Sequence, residues 1–306
     1  MIKKFLKFLV NPNYRFLILS NQDKYRSMPD EDFLKKKFRI RMGQELDLEN
    51  PKTFNEKLQW LKLYNRQPIY TTMVDKYAVK QYVTDQIGSE YVIPTLGVWD
   101  HFDEIDFDSL PDRFVLKVTH DSGGIAICKD KKTFDKEAAR AKIEKSLKRD
   151  YYNIGREWPY KNVKPRILAE SFLENAEGKE LVEYKIFCFN GEAKIILVCK
   201  GQAHGNGRTN DYCDTNLQRF PFTSLYPNSK GELDKPALLP ELLKTAEKLS
   251  QGIPQVRVDL YICNNQIYFG EFTFFHNSGF CSFDPKEWDE TLGSWIKLPK
   301  KQGETL

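Results

Sequence analysis

The chain has 306 residues, 41% hydrophobic, with a net charge of +4, which is ample for a sizeable core and for more than one lobe. Charged residues make up 29%, the mean hydropathy is −0.57 and the pI is about 8.5. These values describe a soluble globular chain and imply no nucleic-acid partner. Of the six cysteines, Cys128, Cys188, Cys199, Cys213, Cys263 and Cys281, none forms C-x-x-C. Four lie in apolar or strand-like runs, which favours a reduced cytosolic compartment over a disulfide framework or a zinc site.

The first ten residues, MIKKFLKFLV, are too short to span a bilayer, and no small-residue cleavage site follows. As a helix they set Phe5, Leu6 and Leu9 against Lys3, Lys4 and Lys7. Two readings stand: a basic amphipathic segment on an anionic membrane surface, or a helix docked on the domain, which RFLILS (15–20) favours. Residues 1–66 are expected to be mainly helical. Thr53 is the expected N-cap of FNEKLQWLKLYNR, with Leu58, Trp60 and Leu61 buried. A helix follows over 75–87, stopped by Gly88, then a short strand at 91–94. Leu110-Pro111-Asp112 marks a boundary. Beyond it, 113–130 reads as strand, glycine loop, strand, and 134–149 as a charged helix with Ala138, Ile143 and Leu147 as its apolar stripe. Residues 151–165 are aromatic and loop-like, 167–174 form an apolar strand, and 181–200 a hairpin turning at Asn190-Gly191. Residues 201–236 are irregular, and 240–252 form an amphipathic helix ended by Gly252.

The stretch VRVDLYICNNQIYFGEFTFF, 256–275, is the most informative. It reads as a β-hairpin with Arg257, Asp259 and Tyr261 on one face of its first strand. A three-residue loop of Asn264, Asn265 and Gln266 puts Asp259 opposite Glu271; a two-residue loop leaves them diagonal. Two carboxylates in so apolar a setting repel unless a cation lies between them. Mg²⁺ is the economical choice, against the plain reading of a wet acidic face. Upstream, Lys117 precedes the turn HDSGG (120–124). A lysine before Ser122, Gly123 and Gly124 suits phosphates, although an ordinary hairpin explains that turn alone. Lys80 reads by its own context as a surface helix lysine, His120 as a loop histidine, and Glu170 and Glu183 as rim carboxylates. The four histidines lack metal-ligand spacing, and no G-x-S-x-G elbow is present.

The order of the pieces is more specific than any one of them. D-K-x-x-x-K at 75–80, VLK before the glycine loop, LAESFLE, VEYK, RVD and GEFT follow one another as in an ATP-grasp ligase. The chain resembles the teichuronopeptide-biosynthesis type of that fold, from about residue 31 to 299. The resemblance implies an α+β ATP-grasp fold: a helical N-terminal region (1–112), an antiparallel lid lobe (113–173), and a C-terminal lobe (174–306) with a mixed sheet and the metal site. It implies ATP and Mg²⁺ as cofactors. Lys80 and Lys117 resemble the lysines on the α- and β-phosphates, and Asp121 to Gly124 the lid over the γ-phosphate. Glu170, Ser171, Phe172 and Leu173 resemble the hinge whose backbone meets adenine, and Glu183 the acid on the ribose. Arg257 resembles the arginine that steadies the transferring phosphoryl group, and Asp259 and Glu271 the metal ligands. Where many such ligases place Asn as a further ligand, this chain has Thr273, with Asn277 shortly beyond.

That resemblance implies activation of a carboxylate as an acyl phosphate and its capture by an amine. The expected partners are a uronic or amino-acid carboxylate of a surface polysaccharide and an amine acceptor, handled by a cytoplasmic protein, peripheral at the inner membrane face in the first reading of residues 1–10. Residues 151–160 and 201–226 are candidates for the acceptor site by elimination. A sugar kinase on the same fold, a glycosyltransferase and a silent binding module are the alternatives. The absence of D-x-D on a strand end counts against the glycosyltransferase.

Overall fold

A computed structural model describes residues 2–20, 22, 25–175, 181–200 and 207–301. Two sheets organise them, and every strand pair in both is antiparallel. The smaller sheet contains β1 (Thr95–Trp99), β2 (Phe114–Val118), β3 (Ile125–Cys128) and β4 (Ile167–Ser171), in the order β1-β4-β2-β3. The larger contains β5 (Glu183–Phe189), β6 (Glu192–Lys200), β7 (Thr209–Cys213), β8 (Gln255–Cys263) and β9 (Gln266–Thr273), in the order β7-β6-β5-β8-β9. The expectation of a mixed C-terminal sheet is therefore corrected. Hairpins join β5 to β6 and β8 to β9, and such short connections force antiparallel pairing. The one parallel contact among the described residues is an isolated bridge from Val92 to Phe269.

The small sheet packs against α7 (Lys136–Leu147) through Phe114, Leu116, Ala126, Ala139 and Ile143. The buried stripe of α7 is Ala139, Ile143 and Ser146. Ala138 is exposed and Leu147 half-buried, so the predicted stripe is one residue out at its start. The small sheet also takes its edge strand β1 from residues 95–99, upstream of the boundary expected at 112.

The large sheet buries Tyr184, Ile186, Cys188, Val256, Val258, Leu260 and Phe272 in the main core. Helix α9 (Leu239–Leu249) packs on it through Leu239, Leu242, Ala246 and Leu249. Helix α4 (Phe54–Tyr64) joins the same core and starts with Thr53 as the expected N-cap, completed by Glu56 into a capping box, which satisfies its first amides reciprocally. The Leu58 side chain is fully buried, and Trp60 and Leu61 nearly so. Helices α5 (Ile69–Val74) and α6 (Ala78–Ile87) follow, with the Asp75 carboxylate accepting from the Tyr77 and Ala78 amides. All six cysteines are buried and free.

At the N-terminus, α1 (Ile2–Val10) is followed by α2 (Pro12–Leu19) and, after a short connection, α3 (Asp30–Met42). Phe16 is buried against Tyr25 and Phe33, so RFLILS docks. Leu6, Leu9 and Val10 of α1 stay exposed. The side chains of Lys3, Lys4 and Phe5 lie outside the described residues.

Candidate active site

Two charged clusters face each other. The first belongs to the small sheet. Glu170 lies in register with Val115, on the face that also carries Lys117, while Lys80 arrives from α6. Glu170 is buried, and its carboxylate meets the Lys80 and Lys117 ammoniums at 2.5 Å each. Burial alone would raise its pKa, but the two lysine charges outweigh burial and hold it below the usual carboxylate range. Burial pulls Lys80 down, with Glu170 opposing. Lys80 also donates to the Ile93 carbonyl at 2.6 Å. The sequence context of Lys80 suggests a surface lysine, and the structure instead aims it inward. The Ser171 amide is taken by the Pro94 carbonyl at 3.0 Å. Phe172 and Leu173 emerge half-buried beyond β4.

The loop between β2 and β3 exposes Ser122 and Gly123 at its tip. Asp121 is held beneath it by Ser146 and by Arg149 at 3.1 Å. A Cβ on Gly124 would come within 2.4 Å of the Ser146 hydroxyl oxygen, so that glycine is needed for close packing on α7. His120 is buried and meets the Arg149 carbonyl at 2.9 Å.

The second cluster lies on one face of the large sheet. Tyr212, Leu197, Lys185, Asp259 and Glu271 form one row across five strands, and Phe187, Arg257 and Thr273 lie in the next. Asp259 does lie opposite Glu271, but not through a three-residue loop. The turn is Asn264-Asn265, both at positive φ, closed by the pair Cys263 and Gln266. A two-residue turn alone would leave the carboxylates diagonal; a bulge at Gly270 shifts the register and brings them opposite.

Arg257 reaches both carboxylates, at 2.6 Å from Asp259 and 3.6 Å from Glu271. Asp259 is fully buried, with Arg257 Nε on one oxygen at 2.6 Å, Arg257 Nη2 on the other at 2.7 Å, and Lys185 on the latter at 2.7 Å. Burial would raise its pKa, yet Arg257 and Lys185 hold it below the usual carboxylate range. Lys185 also contacts Glu183 at 2.5 Å, and the Tyr261 hydroxyl donates to Glu183 at 2.8 Å. Glu271 is half-buried, 3.4 Å from Lys76 and 3.6 Å from Arg257. Lys76 reaches the Asp121 carbonyl at 3.1 Å and so links this cluster to the lid turn.

Arg257 Nη1 lies 2.9 Å from His276 Nδ1. Burial, then the Arg257 charge, pushes His276 well below its ordinary value, so the imidazole is neutral. Nδ1 therefore accepts from Arg257, and Nε2 carries the proton, 3.2 Å from the Tyr212 hydroxyl. Nearby, Tyr151 and Tyr160 pack edge to face at 4.6 Å. Tyr151 pairs its hydroxyl with Ser122. Burial, aided first by the Glu157 charge for Tyr151 and by Tyr151 and Glu157 for Tyr160, raises both phenols.

As a Mg²⁺ site, the donor set is sparse. Among the described residues no three or more His, Cys, Asp or Glu groups gather around one point. Two opposed carboxylates still suit an ion that keeps water and substrate phosphates as its other ligands. Thr273 stands beside them, opposite Arg257. The Asn277 amide turns to His276 and Cys281.

Three site residues had no role in the sequence reading. Lys76 lies within D-K-x-x-x-K and Lys185 within VEYK, where strand alternation from Glu183 could have placed it. Nothing in the sequence marks His276, because its position depends on the turn after β9.

Two antiparallel sheets, one meeting a helix at a pair of lysines on a shared carboxylate and the other carrying an Arg, Asp and Glu cluster, have the layout of an ATP-grasp protein. The chain belongs to the TupA-like ATP-grasp family, whose model matches residues 56–297. No curated protein sequence matches it. Among solved structures it is similar to the D-alanine–D-alanine ligase of Helicobacter pylori, at 14% identity over 81% of this chain and 70% of that one, with a TM-score of 0.43. The Bacillus anthracis D-alanine–D-alanine ligase complexed with ATP gives 14%, 87%, 82% and 0.42. A Campylobacter jejuni biotin carboxylase gives 14%, 88%, 54% and 0.41. Family membership rests on the family model and not on these distant likenesses.

Proposed function

We propose that the protein is an ATP- and Mg²⁺-dependent ligase that joins a carboxylate to an amine through an acyl phosphate. The observation that carries this reading is the pairing of two clusters in which two cations share a buried carboxylate, within an ATP-grasp family member. Lys80 and Lys117 share Glu170, and Arg257 shares Asp259 with Lys185. Each carboxylate keeps cations in place that an incoming triphosphate can engage. The substrate carboxylate attacks the γ-phosphorus, the bond to the β-phosphate oxygen breaks, and ADP leaves. An amine then attacks the acyl carbon, phosphate departs, and the amine loses a proton. Lys80 and Lys117 bind the α- and β-phosphates, Glu183 takes the ribose, and Arg257 faces the transferring group. Phe172 or Leu173 supplies the backbone contact to adenine, and the turn 121–124 closes over the γ-phosphate to exclude water. Asp259 and Glu271 hold Mg²⁺, with Thr273 as a weaker neutral neighbour. When bound, the ion neutralises phosphate charge.

The substrate is a uronic or amino-acid carboxylate of a surface polysaccharide or its precursor. The paired rings of Tyr151 and Tyr160, with the Tyr151 hydroxyl on Ser122, support residues 151–160 as part of the acceptor side, since aromatic faces suit sugar rings. The protein works in the cytoplasm. The exposed Leu6, Leu9 and Val10 of α1, next to Lys7, support weak contact with the anionic inner leaflet. No helix among the described residues is long and apolar enough to cross a membrane.

Incubation with ATP, MgCl₂, glucuronate and a mixture of amino acids, read by mass spectrometry, tests the activity. ADP, phosphate and an amide are expected. ADP with a phosphosugar would make the protein a kinase instead.

A further inference from the structure

The most heavily bonded buried cation lies outside both clusters. Lys62, on α4, is fully buried. Its ammonium donates to Gln59 Oε1 at 3.1 Å, the Gly155 carbonyl at 2.8 Å, the Ser278 carbonyl at 2.8 Å and the Ser278 hydroxyl at 3.0 Å. It stands over the Phe275 and Phe280 rings at 5.5 and 5.2 Å. Among the described residues it makes no ion pair within 4 Å. Burial pulls Lys62 down to about 7 and pushes the buried Glu157 up, while each charge favours the other, and Glu157 hydrogen-bonds Ser278. Simple packing between two phenylalanines would be served by methionine or leucine. A buried ammonium fixes the geometry of whatever its donors hold.

What they hold is a joint between two segments of the site. The turn after β9 puts Asn277, Ser278 and Gly279 in succession at φ of 48°, 55° and 65°, a conformation that L residues resist. Gln59 Nε2 also grips this turn, donating to the Ser278 and Gly279 carbonyls at 3.1 and 2.7 Å. Opposite stands the short helix α8 (Tyr152–Gly155). A Cβ on Gly155 would lie 1.9 Å from the Ser278 hydroxyl oxygen, so the two segments touch with no room for a side chain. One of them carries His276, which accepts from Arg257. The other runs between Tyr151 and Tyr160, whose rings pack together; the Tyr151 hydroxyl meets Ser122 in the β2–β3 loop.

We propose that Lys62 is a positioning residue for the acceptor side of the site: by gripping Ser278 and the Gly155 carbonyl, it locks the turn that carries His276 against the segment that carries Tyr151 and Tyr160. The assignment to the acceptor side rests on the ligase reading; the joint itself does not.

The test uses Lys62→Met and Ser278→Gly. Glycine at 278 relieves the left-handed backbone, so a purely structural role for the serine predicts an equal or higher melting temperature and an unchanged site. The proposal predicts that in both variants the His276 ring signals in ¹H–¹⁵N imidazole spectra shift or broaden. It also predicts that amide exchange across 151–160 speeds at least tenfold, while ATP affinity in MgCl₂ by calorimetry stays within twofold. If Lys62→Met does not fold, Ser278→Gly decides. Unchanged His276 signals and unchanged exchange would overturn the proposal, and so would an equal loss of ATP affinity. With glucuronate as probe, KM for glucuronate should rise at least fivefold against an unchanged KM for ATP. If the wild type turns over no glucuronate, the substrate assignment fails, and the spectra still decide the role of Lys62.

Discussion

Replacing Glu170 by Gln should destabilise the protein without ATP and make ATP a stronger stabiliser. The side chain is nearly fully buried between two ammoniums at 2.5 Å. Removing one partner of a buried pair costs roughly 3–5 kcal/mol, because the opposite charge is left uncompensated. Lys80 and Lys117 keep 12% and 19% of their side-chain exposure, so water recovers part of that cost, and about 2–4 kcal/mol is expected. At roughly 2 °C per kcal/mol for a chain of this size, the melting temperature should fall by several degrees. A triphosphate then supplies the missing negative charge, so saturating ATP should raise the melting temperature more in the variant than in the wild type. Thermal denaturation with and without ATP measures both effects. A variant that melts within a degree of the wild type without ATP would show that Glu170 does not neutralise the lysines. An equal ATP shift in both proteins would show that the phosphates do not take its place.

The same carboxylate gives a pH dependence. Its folded pKa is depressed, so its contribution is present above the unfolded value of about 4.3 and is lost as pH falls through the lower folded value. The stability gap between wild type and Glu170→Gln should therefore close in acid, as urea titrations from pH 7 to pH 3 would measure. Glu271→Gln should abolish ATP turnover with little change in melting temperature, and turnover within a few-fold of wild type would remove Glu271 from the metal site. Asp259→Asn should also abolish turnover but melt lower, since it leaves Arg257 and Lys185 buried around a neutral group; an unchanged melt would contradict the ion pairs described. Lys117→Ala should weaken ATP binding by roughly 1–3 kcal/mol, and equal affinity by calorimetry would refute its phosphate role. Deleting residues 1–10 should abolish salt-sensitive co-sedimentation with anionic vesicles, and equal sedimentation would dismiss the membrane contact.

Most of the fold was legible because local signals agreed with the tertiary answer. Asn190-Gly191 turns β5 into β6 with both residues at positive φ, and Thr53 caps α4 as predicted. The misses have particular causes. Strand β7, TNDYC, has little β-propensity and is an edge strand, so only its pairing with β6 identifies it. The first stripe residue of α7 was misplaced because adjacent alanines, Ala138 and Ala139, satisfy the helical period almost equally well. Only the packed structure chooses Ala139.

For the site, sequence reasoning placed charges on faces but could not say what neutralises them. Two facing carboxylates in an apolar setting call for a cation, and the sequence does not show which side chains come close to them. Strand pairing supplies one: Lys185 lies opposite Asp259 across β5 and β8, and Arg257 folds back two residues along its own strand. The geometry was reached by a different route as well, since the bulge at Gly270 does what the longer loop was expected to do. The same rule explains Lys80. Its own helix makes it ordinary, and Glu170, ninety residues further along the chain, gives it a partner. Each carboxylate central to this site thus has cations drawn from more than one element. Lys80 and Lys117 share the single charge of Glu170, so the small-sheet cluster keeps a net positive charge that suits an anion.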